Sequence, residues 1–281
     1  MNRLMDRLKD STRERHARME ALPFVAALTS GELPLNSYIA QLRAMAIIHG
    51  TLDHELRYIP PTQLTALCQS RPSRLAHLRS DLGVFDQTPV PDCLEAVRYA
   101  QQIAEVIRRT RLDHPENLLA FIYLLEGTTL GNAVHHPDVV KCFGEQVSGA
   151  THYYAGYGEN TGQNWQEFRS VMNTLAIDDV GCEEMIRTVH TLFDLLDPLL
   201  TALYPVCEGG WGFTASMLNP EAGNHPVPGS EVEIKAAIAA ARRCRQEFPY
   251  FDERYGVRGK DFALHLINSW VTSGSGRPPS V

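Results

Sequence analysis

The 281-residue sequence has no run of eighteen apolar residues, so no transmembrane helix is expected. Its start, MNRLMDRLKDSTRERH, carries charge but no apolar stretch and does not read as a secretory signal. Cysteine is sparse. The six (Cys68, Cys93, Cys142, Cys182, Cys207, Cys244) are far apart with no C-x-x-C pair, which argues against a disulfide scaffold or a zinc site. They read as reduced thiols of a cytoplasmic protein. Lysine is scarcer still, with 4 Lys against 22 Arg. Basic charge is not in excess either. The net charge of −7 argues against a nucleic-acid partner, because phosphate recognition wants a basic surface. No G-x-S-x-G, phosphate-binding loop, dinucleotide fingerprint or internal repeat is present, and strand signals are almost absent.

What is present is helix. The 44% apolar content suffices for a buried core and excludes a disordered chain. Apolar residues at three- and four-residue spacing predict helices near 3–20, 35–58, 72–82, 92–110, 115–135, 138–153, 161–175 and 181–204. The expected architecture is an all-α multi-helix bundle over 1–204. Residues 205–281 read as a C-terminal loop-plus-helix extension. It comprises a Gly/Pro-rich loop over 205–230, a helix near 231–248, a short segment near 259–271 and a disordered end. Its aromatics (Trp211, Phe213, Phe248, Tyr250, Phe251, Tyr255) suggest that it packs on the core.

Two helices carry chemistry. On the first, Lys9, Arg13, His16 and Glu20 share one stripe at spacings of 4, 3 and 4, beside the core-facing Met5, Leu8, Thr12 and Met19. A neutral imidazole there can bind iron, and the cations can pair with carboxylates of a metal-bearing dianionic ligand. A hydrogen-bonded border histidine beside two solvated cations would look the same. On the second, AFIYLLEGTTLGNAV (120–134), Gly127 and Gly131 lie on one face with Ala120, Leu124 and Val134. Each mid-helix Gly costs about 1 kcal/mol relative to Ala. A bare face admits either something flat and bulky or another helix at close range.

Together these helices resemble the heme oxygenase family, especially its bacterial branch. The family's L-K-x-x-T-x-x-x-H-x-x-x-E stands here as Leu8, Lys9, Thr12, His16 and Glu20. Its E-G-S-x-L-G-G pattern stands as Glu126, Gly127, Thr128, Thr129, Leu130, Gly131 and Asn132. The stretch GYGENTGQNWQEFRSVMNTL (156–175) is similar to the bacterial G-Y-G-x-x-T-G-x-x-W-x-x-F segment, and the helix bearing Phe193 fits the last helix of the fold.

The resemblance implies that heme is sandwiched between two helices. His16 would be the axial iron ligand, with Glu20 accepting its other ring N–H. Lys9, Arg13 and Arg169 would hold the propionates, and Phe193 would line the heme. Gly127 and Gly131 would let the distal backbone close over the ring, with a water near them as proton donor. Thr128 stands where some members carry an Asp that orders this water, and Asn132 replaces a small residue. The implied reaction takes heme, O2 and external electrons to biliverdin, iron and CO. The implied partners are heme, a ferredoxin or flavoprotein reductase as donor, and a bilin-binding photoreceptor as product acceptor.

Two alternatives belong to other classes. One is a heme- or bilin-binding protein of this fold without turnover. The other is a non-heme iron enzyme built on His49, Asp53, His54, Glu55, His190 and Asp194, although the paired Glu-x-x-His signature is missing. His135 and His136, before Pro137, are expected to complement a helix end.

Overall fold

The computed structural model describes residues 3–59, 73–85, 91–206 and 211–214. Nine α-helices lie among them: α1 (Leu4–Glu20), α2 (Pro23–Ser30), α3 (Leu35–Glu55), α4 (Arg74–Val84), α5 (Leu94–Asp113), α6 (Leu118–Phe143), α7 (His152–Ala155), α8 (Thr161–Met172) and α9 (Asp179–Leu203). Strand is confined, among the described residues, to β1 (Pro91–Cys93) and β2 (Trp211–Thr214), which pair as a two-stranded sheet. No helix among the described residues is long and apolar enough to cross a membrane. The all-α expectation is met. The extension's predicted loop, helix near 231–248, segment near 259–271 and disordered end fall outside the described residues, apart from Pro205, Val206 and Trp211–Thr214.

The core forms where long helices bury whole faces. α3 packs on α5 and α4, and α9 packs on α5, α6 and α1. Along α9, Met185, Val189, Leu192, Leu196, Leu199 and Leu203 are buried at helical spacing. Its start is capped by Asp178, whose carboxylate accepts the Gly181 N–H at 2.8 Å. At the start of α4, the Ser73 hydroxyl oxygen accepts the Leu75 N–H.

Three sequence expectations are corrected. First, α2 was not expected, being only two turns long. Its signals are Pro23 at the first turn and Gly31 at φ +83 just past the end. Second, the helices expected at 115–135 and 138–153 are replaced by one helix ending at Phe143. Pro137 does not break it, because that residue is exposed and water can serve the carbonyl that its ring leaves without a donor. The break comes later, where Gly144 and Gly149 adopt positive φ. Third, His135 and His136 are consequently inside α6 and cap nothing. His135 contacts Asp138 at 3.1 Å, and His136 contacts the Thr151 hydroxyl at 3.1 Å.

A buried polar chain joins α3, α6 and α7. His49 Nε2 lies 3.2 Å from the Tyr153 hydroxyl, and that hydroxyl also bonds the side chain of Asn132. Burial, and then the nearby Arg74 charge, push the His49 pKa down to about 3. Above about pH 6.5 the imidazole is neutral in both folded and unfolded chains. Below that the unfolded chain takes up a proton that the folded one refuses. Folding then loses up to about 1.4 kcal/mol per pH unit until about pH 3. The urea midpoint is therefore expected to fall between pH 7 and pH 5, and to fall less in His49→Gln. Equal slopes in the two proteins would contradict this placement.

Candidate functional site

α1 presents His16 from a helix that buries only Met5, Leu8 and Thr12. The side chain is 58% exposed, more open than the core-border position expected of it. Its Nδ1 lies 3.1 Å from a Glu20 carboxylate oxygen one turn on. Its ring meets the edge of the buried Phe193 ring of α9, with centroids 6.4 Å apart. No group among the described residues bonds its Nε2. The arrangement fixes which nitrogen faces outward. With Nδ1–H donated to Glu20, Nε2 keeps a lone pair, as a metal ligand must.

The cations behave differently from one another. Lys9 is exposed, with no partner among the described residues. Arg13 is exposed and paired with Asp10 at 2.6 Å. Arg169, from α8, is half-buried and donates to Asp6 at 3.2 Å. Lys9 and Arg13 lie on the His16 stripe, whereas Arg169 reaches the opposite end of α1. All three are on or against the first helix, but only Lys9 is unpaired.

On α6 the glycine face emerges from the core. Ala120 and Leu124 are buried, and Val134, farther along the stripe, is 69% exposed. A Cβ at Gly131 would meet nothing within 4 Å, and one at Gly127 would touch only the Trp165 indole at 3.9 Å. Close helix–helix packing therefore does not explain these glycines. Thr128 turns its hydroxyl onto the Leu124 carbonyl at 3.0 Å. Asn132 lies 100° round the helix from Gly131 and is buried at 7% exposure against Tyr153. Its Nδ2 is buried without a hydrogen-bond partner among the described residues.

Tyr123 was not singled out in the sequence, although it precedes Gly127 and Gly131 at spacings of four and four. Its phenol is hydrogen-bonded to Thr12 of α1, and the Arg169 charge acts on it. Burial dominates and holds its pKa above the usual phenol value. The Thr12–Tyr123 contact ties α1 to α6 one turn before His16 and one turn before Gly127. α8 braces both helices. Trp165 lies 6.2 Å from the Tyr123 ring, and Asn173 accepts the Met5 N–H at 3.1 Å.

The residues suggested for a non-heme iron site do not converge. His49 bonds Tyr153, Ser73 donates to Asp53, and Arg111 pairs with the buried Glu55. His190 Nε2 is bonded to the Ser11 carbonyl at 2.9 Å, and Asp194 takes Arg15 and Arg18. Among the described residues, the three metal-ligating groups that do come within 4.8 Å of one another are His114, Glu116 and Glu184. None of these belongs to the suggested set.

The heme oxygenase family model matches residues 2–201. The chain belongs to the heme oxygenase family. No curated protein sequence matches it. Among solved structures, a heme oxygenase from Leptospira interrogans aligns at TM-score 0.64 and 19% identity, covering 71% of this chain and 99% of that one. Heme oxygenase-1 of the cyanobacterium Synechocystis, in complex with heme, aligns at TM-score 0.61 and 19% identity over 72% of this chain and 93% of that one. Heme oxygenase-2 of the same organism, in complex with heme and NO, aligns at TM-score 0.64 and 15% identity over 72% and 85%. At these identities the structural likeness speaks for the heme oxygenase fold.

The open space at Gly131 gives a stability prediction. Gly131→Ala is expected to stabilise the protein by up to about 1 kcal/mol, because it improves helix propensity without a clash. A lower urea midpoint would mean that something already fills that face.

Proposed function

We propose that this protein is a working heme oxygenase, opening heme to biliverdin with release of iron and CO. The observation that carries this reading is the His16 imidazole, held at Nδ1 by Glu20 with Nε2 open. The residues fit the group. They supply an imidazole nitrogen on α1 and a glycine face on α6 that is open at Gly131 and met only by Trp165 at Gly127. Heme, as substrate and cofactor, supplies the iron at which O2 reacts.

The chain's own residues do the rest. His16 binds and Glu20 sets its tautomer. Phe193 limits rotation of the imidazole by edge contact. Lys9 is ready to pair with a propionate, and Arg13 can exchange Asp10 for one, a surface contact worth up to about 1 kcal/mol each. Arg169 can do likewise beside Tyr123. Gly127 and Gly131 admit the ring, and a water near them is the proton donor. Thr128, bonded to Leu124, keeps oxygen lone pairs to help hold that water. The commitment of Asn132 to Tyr153 supports turnover over mere binding, because its amide is drawn away from the glycine stripe. The family resemblance supports a ferredoxin or flavoprotein reductase as electron donor and a bilin-binding photoreceptor as product acceptor.

Hemin added to the purified protein, followed by ascorbate, tests the proposal. The expected result is a Soret band that decays as a biliverdin band grows. Gly131→Leu should stay folded yet bind hemin at least about tenfold more weakly. A Soret band that persists under reductant would contradict the proposal and favour a binding protein. Iron without hemin binding would favour a non-heme enzyme.

A further inference from the structure

Two residues of the sequence motifs have no part in the heme contacts above. Glu126 stands immediately before Gly127, and Tyr157 lies in the GYGENTG segment, 31 positions on. The fold brings them together. The Tyr157 hydroxyl donates to the Glu126 carboxylate, at 3.0 Å from one oxygen and 3.3 Å from the other. Glu126 is buried at 9% exposure. Burying a carboxylate costs more than burying an apolar side chain of similar size, so simple packing of α6 does not call for it. What the hydrogen bond adds is a fixed distance and direction.

The turn that carries Tyr157 is built to approach α6 closely. Gly156 and Gly158 adopt φ +65 and +60. A Cβ at Gly156 would stand 2.9 Å from the Thr161 hydroxyl, and 3.4 Å from both the Ala133 Cβ and the Thr129 carbonyl oxygen. Glycine lets the turn lie directly against the α6 backbone there. The Thr161 hydroxyl oxygen accepts the Tyr157 N–H at 2.9 Å, and the hydroxyl donates to the Gly158 carbonyl at 2.8 Å. These bonds fix the turn to the start of α8.

The turn is also anchored to α4, independently of α6. Arg74 is 4% exposed and donates to the Gly156 and Tyr153 carbonyls at 2.7 and 2.6 Å. Its guanidinium lies over the Tyr157 ring, 5.1 Å from the centroid. Asp81, fully buried, accepts the N–H groups of His152 and Tyr153 at 2.9 and 2.8 Å. Two buried charges of α4 thus hold four backbone groups of segment 152–156. The phenol that reaches Glu126 comes from a fixed abutment.

The abutment meets α6 on one side, and the glycines face another. Glu126, Thr129 and Ala133 follow one another at spacings of 3 and 4 and share a stripe. With successive residues about 100° apart, that stripe points roughly 150° away from Gly127 and Gly131. Its three contacts bracket both glycines. Glycine leaves a helix easy to bend, so support behind this stretch decides where its backbone lies. Gly156 stops the 127–131 backbone from withdrawing, and the hydrogen bond stops it from bending into the open glycine face.

We propose that Glu126 and Tyr157 form a latch that fixes the 127–131 backbone of α6 in place for a ring bound on the glycine face. The proposal rests on the heme reading of that face. Both residues act through the α6 backbone and are positioning residues.

Tyr157→Phe tests the latch, because the ring stays on Arg74 while the hydrogen bond is lost. Two readouts are taken on the full chain. Without hemin, amide hydrogen exchange at 127–131 is expected to rise about three- to tenfold, with α9 unchanged. With hemin bound, its transfer to apomyoglobin is expected to quicken by a similar factor, and the C–O stretch of the reduced carbonyl complex to shift or split. Glu126→Gln keeps an oxygen acceptor for the phenol and should stay close to the wild type in both readouts. Unchanged exchange in Tyr157→Phe would overturn the latch. Faster exchange with unchanged hemin loss and C–O stretch would overturn its role toward the ring and leave only packing. A wild-type protein that binds no hemin would overturn that role together with the heme reading, and the exchange data separate that failure from a failure of the latch.

Discussion

Arg7, Arg15 and Arg18 fasten α1 to the acidic edge of α9, and the placement of His16 depends on that attachment. Arg7 bonds Asp179 at 2.6 Å and Glu183 at 2.7 Å, Arg15 bonds Asp194 at 3.2 Å, and Arg18 bonds Asp197 at 2.6 Å. α1 buries only three side chains, so burial alone specifies its rotation weakly. Each exposed pair contributes little by itself, but the four partners run along α9 and set the register together. That register brings His16 against Phe193. It also explains part of the arginine excess: forked donors suit two carboxylates at once, as at Arg7.

α6 divides the chemistry by angle. Gly131 faces open space and Gly127 meets only Trp165, while Asn132 turns toward Tyr153. Adjacent residues on a helix point about 100° apart, so the polar chain can be buried without entering the bare face. α8 then serves both sides of α6. Trp165 and Arg169 brace the region of Tyr123, and the turn before α8 meets α6 at Glu126.

The local patterns were readable from the sequence. The stripe of His16 and Glu20 and the glycine spacing depend only on helical geometry, which holds along one element. The helices were also largely legible, except at α2 and α7, which are too short to show a periodic face, and at Pro137, whose tolerance depends on exposure. The β1–β2 pair was not legible, because strand pairing joins distant residues. The ion pairs of α1 were not legible, because Arg15 and Asp194 are 179 residues apart. The same applies to Thr12 with Tyr123, to Asp81 with His152, and to the partners that disperse the suggested non-heme iron residues. Asn132 illustrates the limit well. Its side chain could be placed only once Tyr153 was seen beside it.

The most direct measurement is the resonance Raman spectrum of the reduced heme complex. An iron–histidine stretch is predicted that shifts in Glu20→Gln, as the hydrogen bond to Nδ1 weakens, and disappears in His16→Ala. An unchanged stretch in His16→Ala would contradict the account, because another residue would then hold the iron.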